Sequence, residues 1–187
     1  MNHEELLRES RRILEEGGVE APSLPVAASG TFPLNCDIAG DIALVTFISS
    51  LPGEDAYRSE EYVFERIRGT WEYLGGGAAS MEFPIPVRRS REDLNGTHMR
   101  LTGHGLTKRR RVGDLPTEGW ISTAELRLSD EVALFRLDDR PVPVPGHGIV
   151  SAIWPTLESA TATALASDGR TLSSLVLEPR VWTTTSS

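Results

Sequence analysis

Two short runs of small and branched residues near the end of the chain constrain its fold more than any other segment. Residues 160–165 read ATATAL and residues 172–177 read LSSLVL, with the dipeptide Asp-Gly at 168–169 between them. Asp-Gly favours a two-residue type I′ turn, whose twist matches that of paired antiparallel strands. Pairing outward from such a turn sets Leu165 opposite Leu172. The segment therefore predicts a β-hairpin and indicates a predominantly β chain.

The chain from residue 31 onward follows strand patterns. Residues 42–48 (IALVTFI) are apolar on both faces, which is typical of a central strand covered on each side. Counting the hairpin, about eight or nine strands are predicted at spacings typical of sandwiches and barrels. The remaining candidates are residues 61–68, 71–74, 98–102, 121–128, 132–137 and 149–154. We expect a mainly β fold, built as a two-sheet antiparallel β-sandwich, with a β-barrel as the alternative.

Prolines and glycines mark the places where strands are interrupted. Pro141, Pro143 and Pro145 lack the N–H of a ladder donor, so their segment is expected at a sheet edge or in a crossover. The triple glycine at residues 75–77 follows a predicted strand but lacks the Gly-Lys-Ser/Thr ending of a phosphate-binding loop. It is interpreted as a strand end or a sharp corner of a sheet.

The first residues have a helical period. Apolar side chains recur on one side of residues 3–16, namely Leu6, Leu7, Ile13 and Leu14. Two glycines at 17–18 end the predicted helix. A helix of this length is marginal in isolation, so its apolar stripe must dock, on its own domain or on a partner or second copy. We assign residues 1–30 to this amphipathic helix and a Pro-containing linker, and residues 31–187 to a single β-sandwich domain.

Composition and charge limit the classes of function. The chain of 187 residues has a formal charge of −8, which opposes approach to nucleic acid or to an acidic membrane surface. It contains no apolar run of about 18 residues that would cross a membrane, and no export segment is recognised. Cys36 is the sole cysteine, so an intrachain disulfide is excluded, which suits a reducing compartment. We expect a cytoplasmic protein that binds neither nucleic acid nor membrane.

Motifs for catalysis are missing from the sequence. There is no Gly-x-Ser-x-Gly elbow, no Ser-x-x-Lys and no His-Glu-x-x-His. Cys36 is followed by Asp37, whose negative charge would disfavour a thiolate. No catalytic residue, metal ligand or cofactor is predicted, and a non-catalytic protein is favoured over an enzyme.

One candidate ligand site combines histidines with an arginine. If residues 97–104 stay extended, His98, Arg100 and His104 project from one face, and His147 would be able to join them. Such a group would bind an anionic small molecule, whereas the arginine opposes a metal cation. This is the small-molecule alternative, in which the protein is an anion-binding protein or an enzyme with a pocket near these residues.

A second candidate is a basic run, Lys108, Arg109, Arg110 and Arg111. It lies between glycines and closes a stretch, residues 88–111, that holds eight basic and two acidic side chains. The run is predicted on an exposed loop, where it would contact an acidic protein partner or a phosphate-bearing ligand. No aromatic residue lies between residues 84 and 119 to help read a nucleic acid.

Three hypotheses of function follow. The first is a cytoplasmic, non-catalytic β-sandwich that acts as a protein-interaction or binding module through its helix and basic run. The second is the small-molecule alternative at His98, Arg100 and His104. The third is a scaffold that forms a homodimer through the N-terminal helix.

Overall fold

The structure is a computed structural model that describes residues 1–18, 30–50, 57–81, 88–110, 119–155 and 158–179. The described chain is mainly β, with one N-terminal helix, α1 (His3–Glu15), and a short 3-10 helix (Glu92–Leu94). Its eleven strands are β1 (Thr31–Ala39), β2 (Ile42–Ser50), β3 (Tyr57–Ile67), β4 (Thr70–Met81), β5 (Met99–Lys108), β6 (Trp120–Leu128), β7 (Leu134–Leu137), β8 (Arg140–Val142), β9 (Ile149–Trp154), β10 (Ala160–Leu165) and β11 (Thr171–Leu177). The linker predicted before residue 30 lies outside the described residues.

The strands form three antiparallel sheets where the sequence predicted two. The N-terminal sheet has the order β1-β2-β3-β4, the middle sheet β5-β6-β9, and the C-terminal sheet β11-β10-β7-β8. None of the three, over the residues described, closes into a barrel. The prediction of a mainly β, antiparallel chain with one N-terminal helix is confirmed.

The middle sheet is covered on both faces. Side chains alternate along β6, so that Ala124 and Leu126 face one way and Ile121 the other. The first face packs with residues of β7, β10 and β11 in the largest apolar cluster, which includes Phe135. The second face packs with β2 of the N-terminal sheet, where Ile121 and Ile153 join Ile42 and Leu44. Strand β2 is itself buried over residues 42–48, as its two apolar faces predict.

Helix α1 covers the outer face of the N-terminal sheet. Asn2 caps the helix in a capping box with Glu5, and Gly17 follows its last turn at a φ of +85°. Its buried apolar residues pack against a cluster on β2, β3 and β4 that includes Val45, Phe47 and Phe64. The helix therefore docks on its own chain, which is one of the alternatives that the sequence left open, and Leu6, Ile13 and Leu14 of its apolar stripe are buried against the N-terminal sheet. The described part of the chain has no helix with the length and apolar character needed to cross a membrane.

The hairpin of β10 and β11 has the predicted register over most of its length. Ala160 lies opposite Leu177 and Ala164 lies opposite Ser173. The turn itself differs from the prediction, because Leu165 lies opposite Thr171 after a bulge. Gly169 alone supplies a positive φ angle in this turn, so the two-residue type I′ geometry, which needs two such residues, does not form.

The proline segment lies at an edge, as predicted. Strand β8 is the outer strand of the C-terminal sheet, and Pro141 lies opposite Arg136 on β7. Proline has no N–H to donate and is therefore tolerated at an edge rather than in a central strand. Pro143 and Pro145 follow directly after the strand ends.

Asp37 on β1 connects all three sheets at one point. Its buried carboxylate accepts a hydrogen bond from the backbone N–H of Ile153 on β9 at 2.9 Å. It also forms a bidentate ion pair with Arg140 on β8, in which Nη2 lies 2.8 Å from Oδ2. The same guanidinium donates to the Ile153 carbonyl at 2.9 Å. Only 2% of the Asp37 side chain is exposed, whereas 29% of the Arg140 side chain is, so the carboxylate is shielded from water and the guanidinium is partly shielded.

We expect Asp37→Ala to destabilise the protein by about 2–3 kcal/mol, because the substitution leaves the partly exposed Arg140 guanidinium without its counter-ion and the buried N–H of Ile153 without its acceptor. Asp139→Ala, at an exposed aspartate in the β7–β8 turn, is the matched control and should change stability by less than about 0.5 kcal/mol. Urea unfolding followed by circular dichroism measures both. Equal stability of the two variants would show that Asp37 does not hold the sheets together.

Candidate functional site

A β-bulge in β5 separates the residues that the sequence placed on one face. Arg100 lies opposite Arg127 of β6, whereas His104 lies opposite Ala124, with a register shift between these two pairs. Because side chains alternate along β6, partners of residues 127 and 124 lie on different faces of the sheet. The structure therefore does not bring Arg100 and His104 to a common face.

The three predicted ligand-binding residues have separate surroundings. His98 is half-buried, with its Nδ1 3.2 Å from Ser129 Oγ and 3.9 Å from Glu131 Oε2. Arg100 is exposed. The ring of His104 lies beside Trp154, with 6.0 Å between ring centroids, on the side of the C-terminal sheet. The three side chains do not converge on one pocket.

His147 has a structural environment. Its Nδ1 accepts the backbone N–H of Ile149 at 3.1 Å, so Nε2 carries the proton and donates to the Leu34 carbonyl at 3.1 Å. Burial lowers the pKa of His147, and the nearby charge of Arg88 lowers it further. The ring is therefore held neutral between β1 and β9, where it joins two sheets.

The described part of the basic run is divided between internal pairing and solvent. Arg109 is paired within the chain, with Nε 2.5 Å from Glu65 Oε1 and its Nη2 bound to Asp41. Lys108 is exposed, with its ammonium 5.9 Å from the centre of the Trp120 ring. Arg110 is exposed, and its guanidinium lies 4.0 Å from the carboxylate of Glu72. Arg111 lies outside the described residues.

A cleft between the N-terminal and middle sheets is the candidate site that brings acidic and hydroxyl side chains of two sheets together. It has a volume of about 300 Å³ and lies where the edge strands β4 and β5 approach each other. Its acidic and hydroxyl side chains come from both sheets: Ser59 and Glu61 from β3, Thr102 and Thr107 from β5, and Thr123 and Glu125 from β6. Carboxylates and hydroxyls thus surround a space large enough for a small molecule.

Glycines keep this space open. Gly77 of β4 lies directly opposite Glu61, and a Cβ atom there would meet nothing within 4 Å. At Gly76 a Cβ would lie 1.8 Å from the Glu61 carbonyl, and at Gly105 it would lie 2.4 Å from the Thr123 hydroxyl. The triple glycine is therefore not a strand end, as the sequence suggested, but an inner part of β4 that allows close backbone approach and leaves the cleft clear.

Hydroxyl groups orient both carboxyl groups in the cleft. Thr102 Oγ1 donates to Glu125 Oε1 at 2.8 Å, and the hydroxyl of Thr123 donates to Glu61. Burial raises the pKa of Glu61 to about 7, with a further contribution from the negative charge of Glu125. Near neutral pH, Glu61 therefore exchanges its proton readily while it faces a second carboxyl group.

Sequence analysis missed Glu61 and Glu125 because no motif contains them. Glu125 is the one acidic residue of β6, but Glu61 is one of three on β3, with Glu60 and Glu65, and 63 other positions separate Glu61 from Glu125 along the chain. The signal that was present is a carboxylate within a predicted strand, together with glycines on a later strand. Recognising it would have required knowing that β4 pairs with β3.

Cys36 and metal chemistry add no second centre in this part of the chain. Burial raises the pKa of the Cys36 thiol, and the charge of Asp37 raises it further, so the sulfur stays protonated. The searched residues, which are those described, contain no group of three or more His, Cys, Asp or Glu side chains arranged to hold a metal ion. The cleft is therefore the arrangement on which a function is argued.

Comparison of the chain with protein-family models, with curated proteins and with solved structures gave no significant match.

The two described arginines of the basic run should differ in their effect on stability. Arg109→Ala leaves Glu65, whose side chain is 4% exposed, without its cation, and we expect a loss of about 3 kcal/mol. Arg110→Ala removes an exposed charge and should cost less than about 0.5 kcal/mol. Chemical denaturation measures both variants. A folded, equally stable Arg109→Ala protein would contradict the structural role of Arg109.

The lowered pKa of His147 makes the stability of the folded protein depend on pH. The unfolded chain binds a proton near the ordinary pKa of 6.5, whereas the folded chain resists it, so the stability from this residue is complete above that pH and declines as the pH falls. We expect the stability advantage of the wild type over His147→Gln to shrink between about pH 7 and pH 5. Urea titrations at several pH values measure the difference. A difference that does not change with pH would contradict this prediction.

Proposed function

We propose that the protein is a non-catalytic binding module whose ligand is a small polar molecule held in the cleft between the N-terminal and middle sheets. The observation that carries this proposal is the placement of Glu61 and Glu125, two hydroxyl-anchored carboxyl groups, in a cleft from which glycines remove side-chain bulk. The proposal places the ligand in this cleft instead of in a pocket formed by His98, Arg100 and His104.

The chemistry of the cleft favours a ligand rich in hydrogen-bond donors. A carboxylate accepts hydrogen bonds through two oxygens, and each of these groups receives a hydroxyl donor, from Thr123 and from Thr102. The remaining acceptor positions are available to a ligand. An anionic ligand, which the sequence suggested, is disfavoured here because it would lie against two acidic groups.

The size of the cleft favours a small ligand. Its volume of about 300 Å³ lies at the lower end of the range of about 300–1,000 Å³ that small-molecule sites commonly have. Gly76 and Gly105 allow close backbone approach, so side chains there would disturb the walls. In this proposal the three sheets act as a layered β-sandwich that fixes the walls of the cleft, and the protein is cytoplasmic.

A protein partner for the basic run is a second candidate function. It is supported by the exposure of Lys108 and Arg110 at one end of β5, where the Arg110 guanidinium also lies 4.0 Å from the carboxylate of Glu72. An acidic partner surface or a phosphate-bearing ligand would be attracted to them, in a manner sensitive to salt. Arg109 is left out of this surface because it already pairs with Glu65 and Asp41.

Filling the cleft should abolish small-molecule binding without unfolding the protein. Gly77→Leu adds a side chain on the same face as Glu61, where a Cβ meets nothing within 4 Å. We expect fragments that bind the wild type, detected by NMR of the labelled protein, to lose about tenfold or more in affinity to this variant. Shifted signals should belong to cleft residues.

Gly146→Leu is the matched control, because a Cβ at this exposed turn position also meets nothing within 4 Å. It should bind fragments as the wild type does. If fragments bind the wild type and Gly77→Leu equally well, or shift only residues outside the cleft, the proposed function is wrong.

A further inference from the structure

The cleft contains two acidic groups without a matching cation. Among the described residues that line it, Glu61 and Glu125 are carboxylic acids and none is lysine or arginine. Arg109, near the same end of β3, is bound to Glu65 and Asp41. The charge of the pair is therefore not balanced by a lysine or arginine of the described lining.

Two other ionisable side chains, Glu125 and His104, line the cleft with Glu61. Glu125 on β6 faces it, and the adjoining lining residues of β4 and β5 are glycines, an alanine, threonines and a leucine apart from His104. The ring of His104 lies against Trp154 on the opposite face of the middle sheet. Thr46 is its cross-strand neighbour on β2. The ionisable side chains among the described lining residues are therefore Glu61, Glu125 and His104.

We propose that the ligand of this cleft carries a primary ammonium group, which binds between Glu61 and Glu125 and displaces one proton. This inference rests on the binding function proposed above and specifies the chemical class of its ligand. The exchange balances in charge: the acid form of Glu61 releases a proton to solvent as the ammonium cation enters, and no covalent bond to carbon forms or breaks.

The electrostatics of the pair supports this exchange. Two negative carboxylates in a partly buried cleft repel each other, and the repulsion falls when a single positive charge is added. In the free protein a proton supplies that charge, which is why the pKa of Glu61 is raised to about 7 by burial and by Glu125. A ligand cation supplies the same charge, so proton and ligand compete for one place.

Hydrogen-bond geometry favours an ammonium group over a bare metal ion. The hydroxyls of Thr102 and Thr123 donate to Glu125 and Glu61, so each carboxyl group keeps further acceptor positions for a ligand. An ammonium group has three N–H donors and makes charge-assisted hydrogen bonds with carboxylates. Two carboxyl groups are fewer protein ligands than a dedicated metal site normally provides.

The test measures binding and proton release together. Butylammonium chloride is titrated into the full-length protein by calorimetry, in buffers with different ionisation enthalpies, at about pH 6, 7 and 8. We expect an affinity that is about tenfold higher at pH 8 than at pH 6, with close to one proton released per ligand at the lower pH. Butanol, which has the same chain without the charge, should bind much more weakly.

Two glutamine variants test whether the pH dependence of binding comes from Glu61 or from the total charge of the protein. Glu61→Gln should weaken butylammonium binding and remove both its pH dependence and the proton release. Glu178→Gln removes an exposed carboxylate beyond the end of β11 and should behave as the wild type. Thermal unfolding of each variant confirms that it is folded before binding is measured.

The possible results separate the ammonium proposal from the binding function on which it rests. If neutral fragments or butyrate bind in the cleft while butylammonium does not, the ammonium proposal is wrong and the binding function stands. If butylammonium binds without proton release, the exchange is wrong. If no fragment of any charge binds in the cleft, both proposals fall.

Discussion

The buried ion pair of Asp37 and Arg140 is the interaction on which the arrangement of the three sheets depends. Hydrophobic packing brings sheets together but leaves their relative position adjustable, because apolar contacts have little directionality. A bidentate ion pair is directional, and both of its side chains also form hydrogen bonds with the backbone of Ile153. Together these contacts join β1, β8 and β9 at one place. His147 adds a second polar tie between β1 and β9 through the Leu34 carbonyl. These contacts set the spacing at which the cleft forms farther along the same two sheets.

The cleft forms where the N-terminal and middle sheets do not pack closely against each other. Where the N-terminal and middle sheets are covered by branched side chains, as at Leu44 and Ile153, they close on each other. Toward β4 and β5 the side chains become glycine and threonine, and the two sheets leave a space instead. Glycine in a strand is costly, because it contributes no packing and loses much backbone freedom on folding. Here that cost coincides with a cleft that two carboxyl groups, Glu61 and Glu125, line together.

Local periodicity predicted the elements, whereas the site depends on pairings between distant residues. The helix, the doubly buried β2, the edge position of the prolines and most of the hairpin register follow from patterns that extend over a few residues. The third sheet does not, since the division of strands among sheets is decided by long-range packing. Arg109 was expected in solvent because its partners Glu65 and Asp41 are far away in sequence. The bulge in β5 places His104 on the opposite face from Arg100, and Gly103, at the register shift, is the residue in the sequence that makes a continuous strand there doubtful.

The two borders of the C-terminal sheet are unequal, and this bears on how molecules of this protein meet one another. Along β8, Pro141 offers an approaching chain no amide hydrogen, and two further prolines follow it. The opposite border, β11, carries no proline and presents Val176, which is 55% exposed. A fibril that grows by stacking this sheet end to end needs two receptive borders on every copy. The prolines of β8 disfavour such stacking at one of the two borders, because they offer no amide hydrogen to a further strand.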